Sequence, residues 1–245
     1  MILHGKSDTG KQRTQNQDCF ILRAINDDTG YAIVCDGMGG HKAGNIASEL
    51  AVRAIDNILV SSLSEPESVN VESLLRSAIR NANGTIFLHS VKDDELKGMG
   101  TTIVMALYMG EKICIASVGD SRAYYFDGDR LTQVTKDHSL VQEMIDKNEL
   151  TKEEAKKHPY QHVITRVLGV TSDVDTDIKT MSFGDEDVLL LCTDGLTNML
   201  TDEEIEEILA EFPYEDACDE LIRLANERGG KDNITVVLLC GDKAV

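Results

Sequence analysis

Hydrophobic positions along the chain follow two kinds of pattern. Short continuous runs rich in Val, Ile and Leu, bounded by Gly, Asp or Asn, occupy Cys19–Ile25, Tyr31–Cys35, Thr101–Tyr108, Lys112–Val118, Arg122–Phe126, Asp187–Cys192 and Ile234–Cys240. Such runs read as strands. Elsewhere the apolar residues recur at helical spacing. Ala47, Leu50, Ala51, Ala54 and Ile58 do so within Gly44–Leu59, and Val71, Leu74, Leu75, Ala78, Ala82 and Ile86 within Val71–His89. Two further helices are predicted over Thr201–Ala210 and Tyr214–Glu227, the first opening Thr-Asp-Glu-Glu, a cap followed by acidic residues that suit the helix dipole. The middle strands follow one another too closely for β-α-β alternation. An α+β fold with antiparallel sheets and helices packed outside them is expected.

The segment Ser139–Thr180 breaks this rhythm. It holds a short helical pattern at Leu140–Lys147 and then TKEEAKKHPYQH. A long polar excursion in a compact domain reads as a lid or flap over a site, or as an ordinary surface excursion. No repeat, low-complexity stretch or Pro/Gly/Ser-rich linker divides the chain, so residues 1–245 are expected to form one domain.

Composition narrows the function classes. The formal charge of −19 disfavours nucleic-acid partners, and an anionic substrate would have to meet positive charge supplied inside the site. No apolar stretch is long enough to span a membrane and the first residues lack the order of a signal peptide, so a cytoplasmic protein is expected. The six Cys contain no C-x-x-C pair and sit mostly in or beside the strand-like runs, as buried reduced thiols do.

The chemistry is concentrated where strands end. Asp36 (AIVCDG), Asp120 (IASVGDS) and Asp194 (LLLCTDG) follow apolar runs, and Asp232 (GGKDNITVV) precedes one. One Asp-Gly after a strand is a common turn signal. Four such corners, if they converge, crowd carboxylates that repel one another and demand cations. All the donors are oxygens, which favours Mg²⁺ or Mn²⁺ over zinc, and two such ions can share a bridging carboxylate and activate water. On this reading Asp36 bridges, Gly37 offers its carbonyl, and Gly39 and Gly40 let the chain pass near the ions.

The motifs TGKQRTQNQD (9–18), VCDGMGGHKAGNIAS (34–48), GMGTT (98–102), SVGDSRAY (117–124), KDHSLV (136–141), ITRVLG (164–169), CTDGLTNML (192–200) and GGKDNITVV (229–237) extend over nearly the whole chain. In this order they closely resemble the bacterial branch of the type 2C metal-dependent protein Ser/Thr phosphatases. The resemblance implies a four-layer α-β-β-α sandwich, two mostly antiparallel sheets flanked by helix pairs, and hydrolysis of phosphoserine and phosphothreonine in proteins by a water bridging two Mn²⁺ or Mg²⁺ ions. It further implies Asp36 as the bridging ligand, Gly37 as a carbonyl ligand, Asp194 and Asp232 on the first metal, and Asp120 with Asp194 on a third, weaker one. Asp18 would hydrogen-bond metal-bound water and Arg13 would grip the phosphate. Partners would be phosphorylated proteins and an opposing Ser/Thr kinase, with a monomer as the working unit and no role for nucleic acid or membrane. A phosphatase dedicated to one partner protein, or an inactive phosphoprotein-binding member, are the alternatives; the second would be expected to lack a ligand Asp, and all are present. Two departures stand out: Met38 and Gln17 replace the His and Glu of animal members, which leaves the proton donor to the leaving alcohol open between a metal-bound water and His41.

Overall fold

The structure, a computed structural model, describes residues 1–40, 43–64 and 69–244. Two antiparallel sheets are stacked between helix layers. One runs β1 (Ile2–Asp8), β11 (Ile234–Cys240), β10 (Val188–Cys192), β7 (Arg122–Phe126), β8 (Leu131–Gln133). The other runs β2 (Asp18–Asn26), β3 (Thr29–Met38), β5 (Ile103–Met109), β6 (Lys112–Val118), β9 (Asp177–Ser182), with the short β4 (Gly100–Thr101) pairing the end of β3.

The burial explains why the strands read as continuous apolar runs. On β3, Ile33 and Cys35 pack against α1 (Ala43–Ser62) and α2 (Val71–Lys92), while Ala32 and Val34 face the other sheet. On β10 and β11, Leu190, Cys192, Val236 and Leu238 meet the helices α5 (Asp194–Thr197), α6 (Asp202–Glu211) and α7 (Tyr214–Glu227), while Leu189, Leu191, Val237 and Leu239 face inward. Successive side chains on a strand alternate faces, and here both faces are covered, so no polar alternation survives. The four-layer sandwich implied by the motifs is the observed architecture.

Three strands escape the hydrophobic pattern: β1, β8 and β9. All are edge strands, where one side of the ladder is open and polar residues guard against unwanted pairing. The segment 139–180 carries α3 (Leu140–Asp146) and α4 (Lys152–Ala155) and enters β9 at Asp177. α6 begins with the capping box expected from its sequence, Thr201 paired with Glu204. All six Cys are unpaired and five are buried. No described helix is long and apolar enough to cross a membrane.

Candidate metal centre

Asp18 and Asp36 face each other across the β2–β3 ladder. They share strand parity with Phe20 and Val34, whose side chains lie between the sheets, so both carboxyls point into that space at its open end. The second sheet meets them there. Thr193 and Thr235, at the ends of β10 and β11, donate to Asp18 Oδ2 at 3.0 and 2.6 Å. Asp194 follows immediately, in the first turn of α5, near enough to Asp36 for its charge to act on that carboxyl. Asp120 ends the run from β6.

The electrostatics are those of carboxylates without counter-charge. Burial pushes the Asp18 carboxyl up to about 7, against the Thr235 and Thr193 hydrogen bonds and with help from the charges of Asp194 and Asp232. Burial, then Asp18, Asp194, Asp120 and Asp232, push Asp36 well above the usual carboxylate range. Asp120 rises to about 7 through burial and then Asp194. Asp194 also rises, through burial and then Asp232, opposed by Asn198. Oδ1 of Asp18, of Asp120 and of Asp194 is buried with no hydrogen-bond partner. Such atoms are costly unless something binds them. Among the described residues, no three His, Cys, Asp or Glu side chains close into a ready cage. An open, all-oxygen donor set that leaves positions to water fits divalent Mg²⁺ or Mn²⁺ and not a closed zinc site. The residues present therefore fit the cations that the sequence implies.

The Asp36 backbone is held from the neighbouring strand. Thr101 Oγ1 and the Thr102 N–H donate to the Asp36 carbonyl at 2.8 and 2.9 Å, and the Asp36 N–H donates to Thr102 Oγ1 at 3.1 Å. Thr102 Oγ1 also lies 2.7 Å from Ser121 Oγ, which ties this corner to the one carrying Asp120. Gly37 has a structural cause that sequence reasoning did not supply. A Cβ there would stand 2.1 Å from the Gly44 carbonyl, so Gly37 and Gly44 let β3 and α1 touch backbone to backbone. Gly40, by contrast, has open space around it.

Arg13 and Asp232 sit at the mouth. Arg13 Nη2 donates to Asp232 Oδ2 at 2.7 Å, with side chains 50% and 33% exposed. Asn233 fixes their loop: its amide donates to the carbonyls of Thr9 and Gln15 at 2.8 and 2.9 Å, and the Gln17 N–H donates to its Oδ1 at 2.9 Å. The structure thus brings Arg13, Asp18, Asp36, Gly37, Asp120, Asp194 and Asp232 to one end of the sandwich, with Asp232 turned to Arg13. Sequence reasoning overlooked the residues that orient them, Thr101, Thr102, Ser121, Thr193, Asn233 and Thr235, although each stands inside a motif quoted above. Met38 is 39% exposed beside the site. His41, the other donor considered, lies outside the described residues. Cys35 and Cys192 are fully buried; burial pushes the Cys35 thiol up and that of Cys192 to about 12, so neither is a ready nucleophile.

The family description for protein phosphatase 2C matches residues 5–238. The chain belongs to the protein phosphatase 2C family. A serine/threonine phosphatase, stp, of Listeria monocytogenes is 40% identical over 96% of this chain and 93% of its own. A crystal structure of a bacterial serine phosphatase superposes with a TM-score of 0.92 at 35% identity, covering 100% of both chains. The catalytic domain of the serine/threonine protein phosphatase PstP in complex with two manganese ions superposes with a TM-score of 0.84 at 33% identity, over 97% of this chain and 96% of that one. This phosphatase is a hydrolase of phosphorylated Ser and Thr in proteins and depends on divalent metal, as its family does.

Proposed function

We propose that the carboxylates at the open end of the sandwich would hold Mn²⁺ or Mg²⁺ for that hydrolysis, two ions by way of Asp36, the Gly37 carbonyl, Asp194 and Asp232, and a weaker third by way of Asp120 and Asp194. One observation carries this: raised carboxyls from separate elements converge with their Oδ1 atoms unpartnered. Bound divalent cations lower the pKa of water and stabilise charge growing on phosphoryl oxygens.

The chain's own groups do the rest. Arg13 presents a planar fork that matches phosphate oxygens, and a cation at Asp232 would compete with it for that carboxylate and free the guanidinium for substrate. Asp18 is fixed through Oδ2 by two Thr hydroxyls, which leaves Oδ1 to accept a hydrogen bond from water in the site. No side chain is required to form a covalent phospho-enzyme. Met38 carries no proton to give, so the leaving alcohol must take its proton from elsewhere.

The catalytic unit is one domain over residues 1–245, working as a monomer in the cytoplasm against a Ser/Thr kinase with several phosphoprotein substrates. The decisive experiment is hydrolysis of p-nitrophenyl phosphate with and without EDTA, alongside Asp36→Asn and Asp194→Asn. Chelation should abolish turnover and Mn²⁺ restore it, and each variant should lose nearly all activity while keeping its circular dichroism. Near-normal turnover of either variant at saturating Mn²⁺ would remove that residue from the site. A phosphopeptide panel then separates broad action from dedication to one partner.

A further inference from the structure

Behind Asp120 lies a group of contacts that the reaction leaves without a role. His138 is 6% exposed and grips Gly119 twice. Its backbone N–H donates to the Gly119 carbonyl at 2.9 Å, and the Gly119 N–H donates to its ring Nδ1 at 3.0 Å. The Gly119 carbonyl belongs to the peptide plane that leads into Asp120, and its N–H to the plane before. One residue thus fixes both planes around the most freely rotating kind of Cα. The position admits only Gly: φ is +112°, and a Cβ would lie 2.6 Å from the Thr102 side chain.

A ring nitrogen that accepts a hydrogen bond carries no proton, so the neutral His138 ring is protonated at Nε2. Nε2 faces Asp177 Oδ2 at 3.2 Å, and Arg166 Nη1 donates to Asp177 Oδ1 at 3.1 Å. Arg166 Nη1 also stands 3.4 Å from His138 Nε2, both donors turned to one carboxylate. Partial burial opposes the Asp177 charge, but His138 and Arg166 outweigh it and hold the carboxyl low.

The same histidine carries the returning limb of the 139–180 segment. The Thr165 N–H donates to the His138 carbonyl at 2.8 Å, the Leu140 N–H to the Val163 carbonyl at 2.9 Å, and Ser139 bridges to Ile164. We propose that His138 is a positioning residue: it couples the seating of this limb to the aim of the Asp120 carboxylate, and Asp177 and Arg166 lock its ring in the tautomer that can hold Gly119. The proposal rests on the reading of Asp120 as a cation ligand.

Two variants divide the two ends of the ring. In His138→Asn the amide oxygen stands near the place of Nδ1 and can accept from Gly119, without reaching Asp177. In His138→Gln the amide reaches Asp177 and offers nothing to Gly119. Both are compared with Asp120→Asn and Asp177→Asn by calorimetric Mn²⁺ titration, by amide exchange at Gly119 and Thr165 in metal-free protein, and by the Mn²⁺ concentration that half-activates hydrolysis. His138→Gln should weaken the weakest Mn²⁺ binding step about tenfold or more, the usual effect of losing a partner behind a ligand, and should speed exchange at Gly119. His138→Asn should leave both near wild type. Adding Asp120→Asn to His138→Gln should weaken that step no further than Asp120→Asn alone, because the two act through one carboxylate.

Normal Mn²⁺ binding by His138→Gln, with Asp120→Asn impaired, would overturn the coupling and leave the site reading intact. Equal impairment by Asn and Gln would reduce His138 to packing and also overturn it. Normal binding by Asp120→Asn would overturn the Asp120 assignment, and the coupling with it. Should His138→Gln fail to fold, Asp177→Asn decides: faster exchange at Thr165 with weaker Mn²⁺ binding supports the relay, and wild-type values of both sink it.

Discussion

At the scale of single residues the site is a balance of like charges against a few fixed donors. Among the described residues Arg13 is the one guanidinium bonded into it, and half of it is open to solvent. Arg13→Ala should raise KM for p-nitrophenyl phosphate by about tenfold or more while lowering kcat less, since a charge-assisted hydrogen bond to phosphate contributes about 1.5–3 kcal/mol. Steady-state kinetics at saturating Mn²⁺ checks this, and an unchanged KM would place Arg13 outside the phosphate site. Asp36 has the opposite character. Its carboxylate is disfavoured by burial and four neighbouring acids, so Asp36→Asn removes a repulsion. Metal-free Asp36→Asn should melt several degrees above the metal-free wild type at pH 8 while losing turnover, the signature of a residue kept for function at a cost in stability.

Elements place these residues by touching closely at a few points. Thr102, at the join of β4 and β5, serves the Asp36 backbone on one side and Ser121 on the other. Thr102→Val keeps the shape but leaves the Asp36 N–H and the Ser121 hydroxyl buried without this partner. It should cost about 1–3 kcal/mol in denaturant unfolding and lower kcat through a displaced Asp36. Where β3 meets α1, Gly37→Ala would set a methyl group 2.1 Å from the Gly44 carbonyl. The helix would have to move, at about 3 kcal/mol, the upper end of ordinary overpacking. A variant as stable as wild type by the same measurement would show that the strand and helix can part freely.

For the molecule as a whole the acids couple stability to pH and to metal. Asp18 and Asp120 titrate near pH 7 in the fold and near the ordinary 3.8 when unfolded. Between those values the folded state binds more protons, so what these two acids contribute to the stability of metal-free protein falls as pH rises from about 4 to about 7. Thermal melts in EDTA should show this decline, and added Mn²⁺ should raise the melting temperature more at pH 8 than at pH 5, because cations held as proposed would compete with protons for this group of acids. A metal-free melting temperature that rose steadily from pH 5 to pH 8 would contradict the crowding of these carboxyls.

The chain's hydrophobic runs were enough to mark the inner strands and the long helices, since a strand covered on both faces must be apolar throughout and a surface helix must keep one apolar stripe. The same logic could not reveal β1, β8 and β9, whose edge positions ask little of their side chains. The motifs likewise named Asp18, Asp36, Asp120, Asp194 and Asp232, because corners that carry carboxylates need small neighbours whose identity is local. What holds those carboxylates was decided only in three dimensions. Thr235 reaches Asp18 across 217 positions of sequence, Asn233 clasps the loop of Arg13 from the other terminus, and His138 meets Gly119 and Asp177 through contacts of shape and proton placement. Residue type and spacing record what each segment must be; which segments face one another depends on how two sheets stack, and a linear pattern carries no trace of that stacking.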